Sequence, residues 1–291
     1  MSSYRFCRTD DIGLLVDALN RCWAPYFADE PPMTAAVFKR SIRDLQVWCS
    51  SCMVAFSGAD PIGVLIGARR SSGTLVHKIA VHPDHRRQGH GRHLLTSLGS
   101  KLAILGPARI VAEVPGELSE ACELFTASGF VEEALLTDYM LPGDRGEAHG
   151  AAARPANHDG TFEIPITVDD LAANGLLAEA ESPICWRRSV ETLMARKEDI
   201  AGLAIASDER IEACLLYVAR ESDAEIVYLR SFAGDEETRL SSLLARLRDR
   251  MVGTLTFPSV HPAEISSGLL DSLGFRPAGQ HLLYAAKARS D

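Results

Sequence analysis

Arg86-Arg-Gln-Gly-His-Gly-Arg92 lies between a run that reads as a strand, Thr74-Leu-Val-His-Lys-Ile-Ala-Val81, and one that opens a helix, Gly91-Arg-His-Leu-Leu-Thr-Ser-Leu98. The strand stops at His82-Pro83, because proline has no N–H to give to a ladder. In the helix, Leu94, Leu95, Leu98 and Leu102 recur on one face. Gly89 and Gly91 therefore fall at a helix N-terminus, where four backbone N–H groups lack intrahelical partners and the macrodipole favours an anion. Glycine lets a pyrophosphate approach the backbone closely, while Arg86, Arg87 and Arg92 add positive charge. The stretch reads as a phosphate cradle.

Its histidines suggest metal at first, since His82, His85, His90 and His93 are closely spaced. Arginines and glycines are interleaved with them, and Asp84 is the one local carboxylate, a poor setting for ligands that need a rigid second shell. No metal is expected. Cys49-Ser-Ser-Cys52 has CxxC spacing without a second pair, and with Trp48, Met53, Val54 and Phe56 around it the pair reads as buried structure.

Working outward, the order is a short strand at Tyr4–Arg8, helices at Asp10–Cys22 (Asp10 or Asp11 as cap) and Thr34–Leu45, and strands near Val47–Ser57 and Ile62–Arg69. After the cradle come a strand Arg109–Val114, a helix Ser119–Ser128 with Ser119 as its cap, and a strand Leu135–Leu141. This is an α/β domain on a mixed sheet. The chain has 291 residues, 46% hydrophobic and 24% charged, enough for two ordinary domains. A stretch rich in Gly, Ala and Pro at 142–160 reads as a linker between a domain at 1–141 and another at 161–291.

The second half echoes the first at an offset of 145. Gly129-Phe130 recurs as Gly274-Phe275, Tyr139 as Tyr284, and the helix face Leu95, Leu98, Leu102 as Leu240, Leu243, Leu247. Two copies of one fold are expected. At this offset His90, Gly91 and Arg92 meet Asp235, Glu236 and Glu237, and Arg86 and Arg87 meet Ser231 and Phe232. Those acids suit a helix cap and would repel a pyrophosphate. The second copy is expected to be degenerate, without an intact cradle.

Charge and thiols bound the setting. The formal net charge is −9; residues 1–141 carry 14 basic and 15 acidic side chains, and 142–291 carry 16 and 24. Without a basic stripe interleaved with aromatics, nucleic acid is not expected as a partner despite Arg69, Arg70, Arg86 and Arg87. The N-terminal stretch has no apolar run of a signal peptide, and nothing approaches the roughly 18 apolar residues of a membrane span. Seven scattered cysteines fit reduced thiols. A cytoplasmic protein that binds no membrane is expected, its oligomeric state left open.

Arg86-Arg-Gln-Gly-His-Gly91, preceded by Ile79-Ala-Val-His-Pro83, resembles the R/Q-x-x-G-x-G/A loop of the GNAT superfamily of acyl-CoA-dependent N-acetyltransferases, and Leu124-Phe-Thr-Ala-Ser-Gly-Phe130 is similar to its late helix-to-strand corner. The resemblance spans about residues 3–141. It implies a mixed, mostly antiparallel twisted sheet flanked by helices in each copy, an α/β (α+β) fold. It also implies acetyl-CoA as co-substrate, with amides of Arg87, Gln88, Gly89, His90, Gly91 and Arg92 on the pyrophosphate and the main chain of Ile79, Ala80 and Val81 along the pantetheine arm. The activity implied is acetyl transfer to a primary amine of a small molecule or peptide.

For the chemistry, a strand N–H near Val81 can stabilise the oxyanion. His77 is the candidate base, expected on the strand face that also carries Ile79. It matches one of two strand positions where members of the family carry histidine; the other holds Leu75. Glu113 is a second candidate base. The family's usual acid, a tyrosine in the late helix, is replaced by Phe125, and its common asparagine is absent near Leu118. Tyr139, Ser119 or water would then protonate the leaving thiolate, or it would leave with no acid at all. Trp23, Tyr26 and Phe27 are candidates to line the acceptor pocket. The losses keep a second reading open, a non-catalytic acyl-CoA-binding sensor or scaffold.

Overall fold

A computed structural model describes residues 2–143, 160–177, 185–234 and 236–289. Most of the expected linker, 144–159, lies outside these residues, as does Asp235. In chain order the elements are β1 (Ser2–Phe6), α1 (Ile12–Cys22), α2 (Ala35–Leu45), β2 (Met53–Ser57), β3 (Asp60–Arg69), β4 (Thr74–Val81), α3 (His90–Leu105), β5 (Arg109–Pro115), α4 (Ser119–Ala127) and β6 (Val131–Leu141). They continue as β7 (Phe162–Pro165), α5 (Val168–Ala173), α6 (Val190–Ala195), β8 (Ala201–Ala206), β9 (Ile211–Arg220), β10 (Asp223–Ser231), α7 (Glu236–Arg250), β11 (Leu255–Val260), α8 (Ser267–Ser272) and β12 (Arg276–Lys287). Among the described residues no helix is long and apolar enough to cross a membrane.

The chain forms two compact units, Met1–Ala134 with Leu282–Asp291, and Leu135–His281. In the first the strand order is β1-β2-β3-β4-β5-β12, antiparallel as far as β4 and parallel between β4 and β5. In the second it is β6-β11-β10-β9-β8-β7, antiparallel except for β10 beside β11. The expected first domain, 1–141, runs on through β6, whereas the first unit ends inside that strand at Ala134 and takes its closing strand from Leu282 onward. The terminal strands of the two copies are exchanged. Accordingly Tyr284 is buried with Leu94, Leu95, Leu98, Leu102, Phe125 and Phe130 in the first unit, and Tyr139 with Leu240, Leu243, Leu247, Phe257 and Phe275 in the second.

The glycine-phenylalanine corners are built alike. Gly129 (φ +83°) and Gly274 (φ +86°) adopt the left-handed conformation that ends a helix. Phe130 N–H reaches back to Phe125 C=O at 3.1 Å and Phe275 N–H to Leu270 C=O at 3.0 Å. Two expected caps differ. Asp11 precedes α1 without bonding its amides, because its carboxylate is taken by Arg5 and the Arg8 N–H. Ser119 is the first helical residue of α4, one step inside the Leu118 cap position, and makes no capping bond.

A bulge interrupts β4. Ile66 pairs with Lys78 but Gly67 pairs with Val76, so His77 is the extra residue. Val76 and Ile79, three apart, both pack into the α3-side core, which a regular strand of period two cannot do. β10 has the same defect at Val227, with Ile226 and Leu229 both in the α7-side core. His77 and Val227 are 150 apart, not 145, so between bulge and helix the second copy is shorter. Residues 82–89 link β4 to α3, whereas 232–235 link β10 to α7.

Candidate functional site

β4 and β5 pair at Thr74–Ile110 and Leu75–Val111, and beyond those pairs they part. His82 N–H bonds Ile62 C=O at 2.9 Å, which fixes the direction of the strand's main-chain groups. By alternation Ala80 and Lys78 face β3, so the N–H and C=O groups of Ile79 and Val81 face the gap left by β5. Ile79, Ala80 and Val81 form one wall of a cleft of about 630 Å³ in the first unit, and Leu118, Ser119 and Ala121 at the start of α4 line it opposite.

At the mouth of this cleft the 82–89 segment enters α3. Pro83–His85 makes one tight turn, Arg87 has φ +60°, and Gly89 has φ +87° at the N-cap. The first bond of the helix runs from His93 N–H to Gly89 C=O at 3.0 Å, so the amides of His90, Gly91 and Arg92 precede the ladder and have no helical acceptor. The two glycines do different work. Gly89 stands in open space, and its conformation is what requires glycine; at Gly91 a Cβ would meet Leu124 at 3.0 Å, so its smallness lets α4 approach α3. Arg86 and Arg87 reach across the cleft to Glu120 and Glu123 of α4, the second pair at 3.8 Å.

Tyr4 is shared by two histidines of the segment, His90 and His93. His82 Nδ1 accepts the Asp84 N–H at 3.4 Å. His90 is buried, 5% exposed, with Tyr4 Oη 2.6 Å from its Nδ1, and its Nε2 has no protein partner. Burial, then His85 and His93 nearby, hold its pKa below the usual histidine value. His93 lies against the Tyr4 ring, centroids 3.8 Å apart. Among the described residues no group of three His, Cys, Asp or Glu side chains is placed to hold a metal.

The expected acceptor residues gather on another wall. Trp23 stacks on Phe27 at 4.3 Å, Lys78 Nζ stands 3.7 Å over the Trp23 ring, and Glu30 accepts the Trp23 indole N–H at 3.1 Å and lies 3.6 Å from Lys78. Tyr26 donates its hydroxyl to Val81 C=O at 2.5 Å. Trp23, Tyr26 and Phe27 all line the cleft.

The expected catalytic side chains are not all brought together. The bulge falls at His77, so the strict alternation that set it on the side of Ile79 does not hold across it: Val76 and Ile79, three apart, share a side. His77 and Glu113 are half-buried and are not among the residues that line the cleft. Tyr139 lies in the core of the second unit, where burial and Asp271 push its hydroxyl pKa up. Phe125 is 2% exposed and packs edge-on to Phe130. Sequence reasoning missed Glu120, Glu123 and the contact of Tyr26 with Val81; the spacing of the two acids by three on one helix face is the signal that was there to read.

In the second unit β10 and β11 likewise pair only at Ala224–Leu255 and Glu225–Thr256. There the buried Arg188, 2% exposed, donates to the carbonyls of Pro258 and Ser259 and pairs with Glu264 at 2.6 Å. The 145 offset sets Arg86 and Arg87 against Ser231 and Phe232. Ser231 is instead the last residue of β10 and corresponds to Val81, so the arginines have no counterparts.

A parted parallel strand pair, a glycine-bearing turn of free amides and a helix behind it together frame the cleft. Residues 48–132 match the Acetyltransferase (GNAT) domain family. The fold of the chain over nearly its full length is that of tandem GNAT proteins. A GCN5-related N-acetyltransferase from Sphaerobacter thermophilus is similar at 13% identity over 99% of this chain and 96% of that one, TM-score 0.69. A tandem GNAT protein from the clavulanic acid biosynthesis pathway is similar at 16% identity over 100% of both chains, TM-score 0.65. The GCN5-related glucosamine N-acetyltransferase region of a fungal multi-domain GH3 β-N-acetylglucosaminidase is similar at 14% identity over 98% of this chain and 38% of that one, TM-score 0.72. No curated protein matches the chain.

Proposed function

We propose that the protein is an N-acetyltransferase that moves the acetyl group of acetyl-CoA directly to a primary amine, with one donor site per chain, in the first unit. The observation that carries this reading is the gap beside Ile79 and Val81, whose main-chain groups face it, leading to the free amides of His90, Gly91 and Arg92. Those groups suit a pantetheine arm ending in a pyrophosphate, and Arg86, Arg87 and Arg92 supply countercharge once the donor competes with Glu120 and Glu123. An N–H of Ile79 or Val81 is the proposed donor to the oxyanion. His77, at the bulge of β4, is the proposed base, through water; Glu113 is the alternative. The second unit, with a four-residue connection and Arg188 on its β11 carbonyls, is proposed to bind no donor. The setting proposed is the cytoplasm, where all seven cysteines stay thiols.

One observation favours the sensor or scaffold reading: Phe125 is buried where the family places its acid, and Tyr139 is in the other unit's core. Incubation with acetyl-CoA and a panel of primary amines, read by release of free thiol, separates the two. Thiol release that depends on the amine supports the enzyme; tight acetyl-CoA binding without release supports the sensor.

A further inference from the structure

The proposed chemistry leaves the imidazoles of His82, His85, His90 and His93 without a role, yet His85 and His90 line the cleft. The rings follow one another from the connection into α3, His82 to His85 at 6.0 Å and His85 to His90 at 6.5 Å, each edge-on. His93 joins the group through Tyr4, whose ring it meets at 3.8 Å. His90 is the most enclosed of them. It is the first residue of α3 and 5% exposed, its Nδ1 lies 2.6 Å from the Tyr4 hydroxyl, and its Nε2 has no protein partner.

We propose that His90 links acyl-CoA binding to pH: its ring is neutral in the free protein and takes up a proton when the donor's pyrophosphate settles on the amides beside it. This rests on the reading of the cleft as the acetyl-CoA site. In the free protein three effects oppose an imidazolium there. The ring is buried, His85 and His93 stand close, and the site is the positive end of the α3 dipole. Burial first, and then those two histidines, accordingly hold the pKa of His90 down. A pyrophosphate reverses the balance, because it brings two negative charges to the same turn of helix. The other charges of the cleft do not: Arg86 and Arg87 are matched by Glu120 and Glu123 of α4, and Arg92 and Glu117 are exposed to solvent. Tyr4 suits either state of the ring. Its hydroxyl donates to Nδ1 of the neutral form and accepts from Nδ1–H of the charged one, and burial raises its own pKa, so it stays a phenol. By linkage, a ligand that favours the charged ring binds more tightly as pH falls.

Titration calorimetry with acetyl-CoA at about pH 6.5, repeated in buffers of different ionisation enthalpy, counts the protons taken up. The donor's 3′-phosphate itself titrates near about pH 6, so the reading is the difference between the parent and His90→Gln. The parent is expected to take up about half a proton more than the variant, and to gain about threefold more in affinity between about pH 8 and pH 6. Imidazole nitrogen-15 shifts of the parent read the same event without a substitution: His90 should be largely neutral when free and charged when acetyl-CoA is bound. If His90→Gln does not fold, these shifts alone decide. Equal proton uptake by parent and variant, or a His90 ring that stays neutral in the bound parent, overturns the linkage while leaving the donor site standing. Absence of acetyl-CoA binding in the parent overturns the donor reading and this inference with it.

Discussion

Tyr284 lies stacked on Phe125, ring centroids 5.8 Å apart and planes 16° from parallel, in the core of the first unit. The last strand of the chain therefore completes a core whose other members all come from the first half. Tyr284→Ala should lower the unfolding free energy by about 3–5 kcal/mol, the range for deleting a large buried ring. Tyr284→Phe should cost about 1 kcal/mol, since it loses only hydrogen bonds with Thr126 and Cys122. Urea unfolding followed by near-ultraviolet circular dichroism reads both. A fragment of residues 1–141 should lack a cooperative transition, and a sharp one would show that β12 is dispensable.

The proposed donor site is best probed where substitution leaves the packing alone. Gly91→Glu, the obvious change from sequence, would also push on Leu124 and so confuse binding with folding. Arg92 is exposed in the first turn of α3. Arg92→Glu should weaken acetyl-CoA binding by about tenfold or more while moving the melting temperature little, because a carboxylate in a first helical turn is itself tolerated. Calorimetry beside a thermal melt separates the two effects.

His90 predicts a pH dependence of stability. Its folded pKa lies below the usual value of about 6.5, through burial first and then His85 and His93. As pH falls through that value the unfolded chain takes up a proton that the folded chain refuses, so stability falls with pH. The contribution is undiminished above the unfolded pKa and is lost in the acid range beneath it. In His90→Leu the difference in unfolding free energy between pH 7.5 and pH 5 should shrink. An unchanged difference would place the acid sensitivity elsewhere.

What was legible in the sequence was what a local pattern determines. The Gly129-Phe130 and Gly274-Phe275 corners carry their helix ends with them, and the leucines of α3 and α7 show their shared face. A single inserted residue has no composition of its own, so the bulge at His77, which breaks the strict alternation across β4, was silent. The offset of 145 holds for helices and corners but not across a connection four residues shorter in the second copy, which misaligned Ser231. Exchange of β6 and β12 was hidden for another reason. Two copies of one fold present equivalent strands, and Tyr139 and Tyr284 satisfy either core, so no hydrophobic pattern distinguishes the pairings.

His77 offers a direct test of the proposed base. His77→Ala should reduce kcat by about 10²–10⁴-fold, the span of general-base contributions, and leave acetyl-CoA affinity within about twofold. Loss of the acid limb of the pH–rate profile in His77→Gln would tie the effect to proton acceptance. Equal loss in binding and turnover would assign His77 to the structure of the bulge.

The proposal that the second unit holds no donor has its own test. β10 keeps the bulge at Val227 and parts from β11 after Glu225–Thr256, which by itself would open a comparable gap. Its connection to α7, however, spans 232–235 against 82–89 in the first unit, too short to carry counterparts of Arg86, Arg87 and the turn before Gly89. Pro258 and Ser259 carbonyls are already engaged by Arg188, whose charge is matched by Glu264. On the proposed reading, a donor that displaced Arg188 from these carbonyls and from Glu264 would break a buried charge pair, a loss on the order of 3–5 kcal/mol. Calorimetry of the full chain with acetyl-CoA should therefore give a stoichiometry of one per chain, and Arg92→Glu should weaken that single transition without uncovering a second. Two transitions, or one that persists unchanged in Arg92→Glu, would assign a donor site to Leu135–His281.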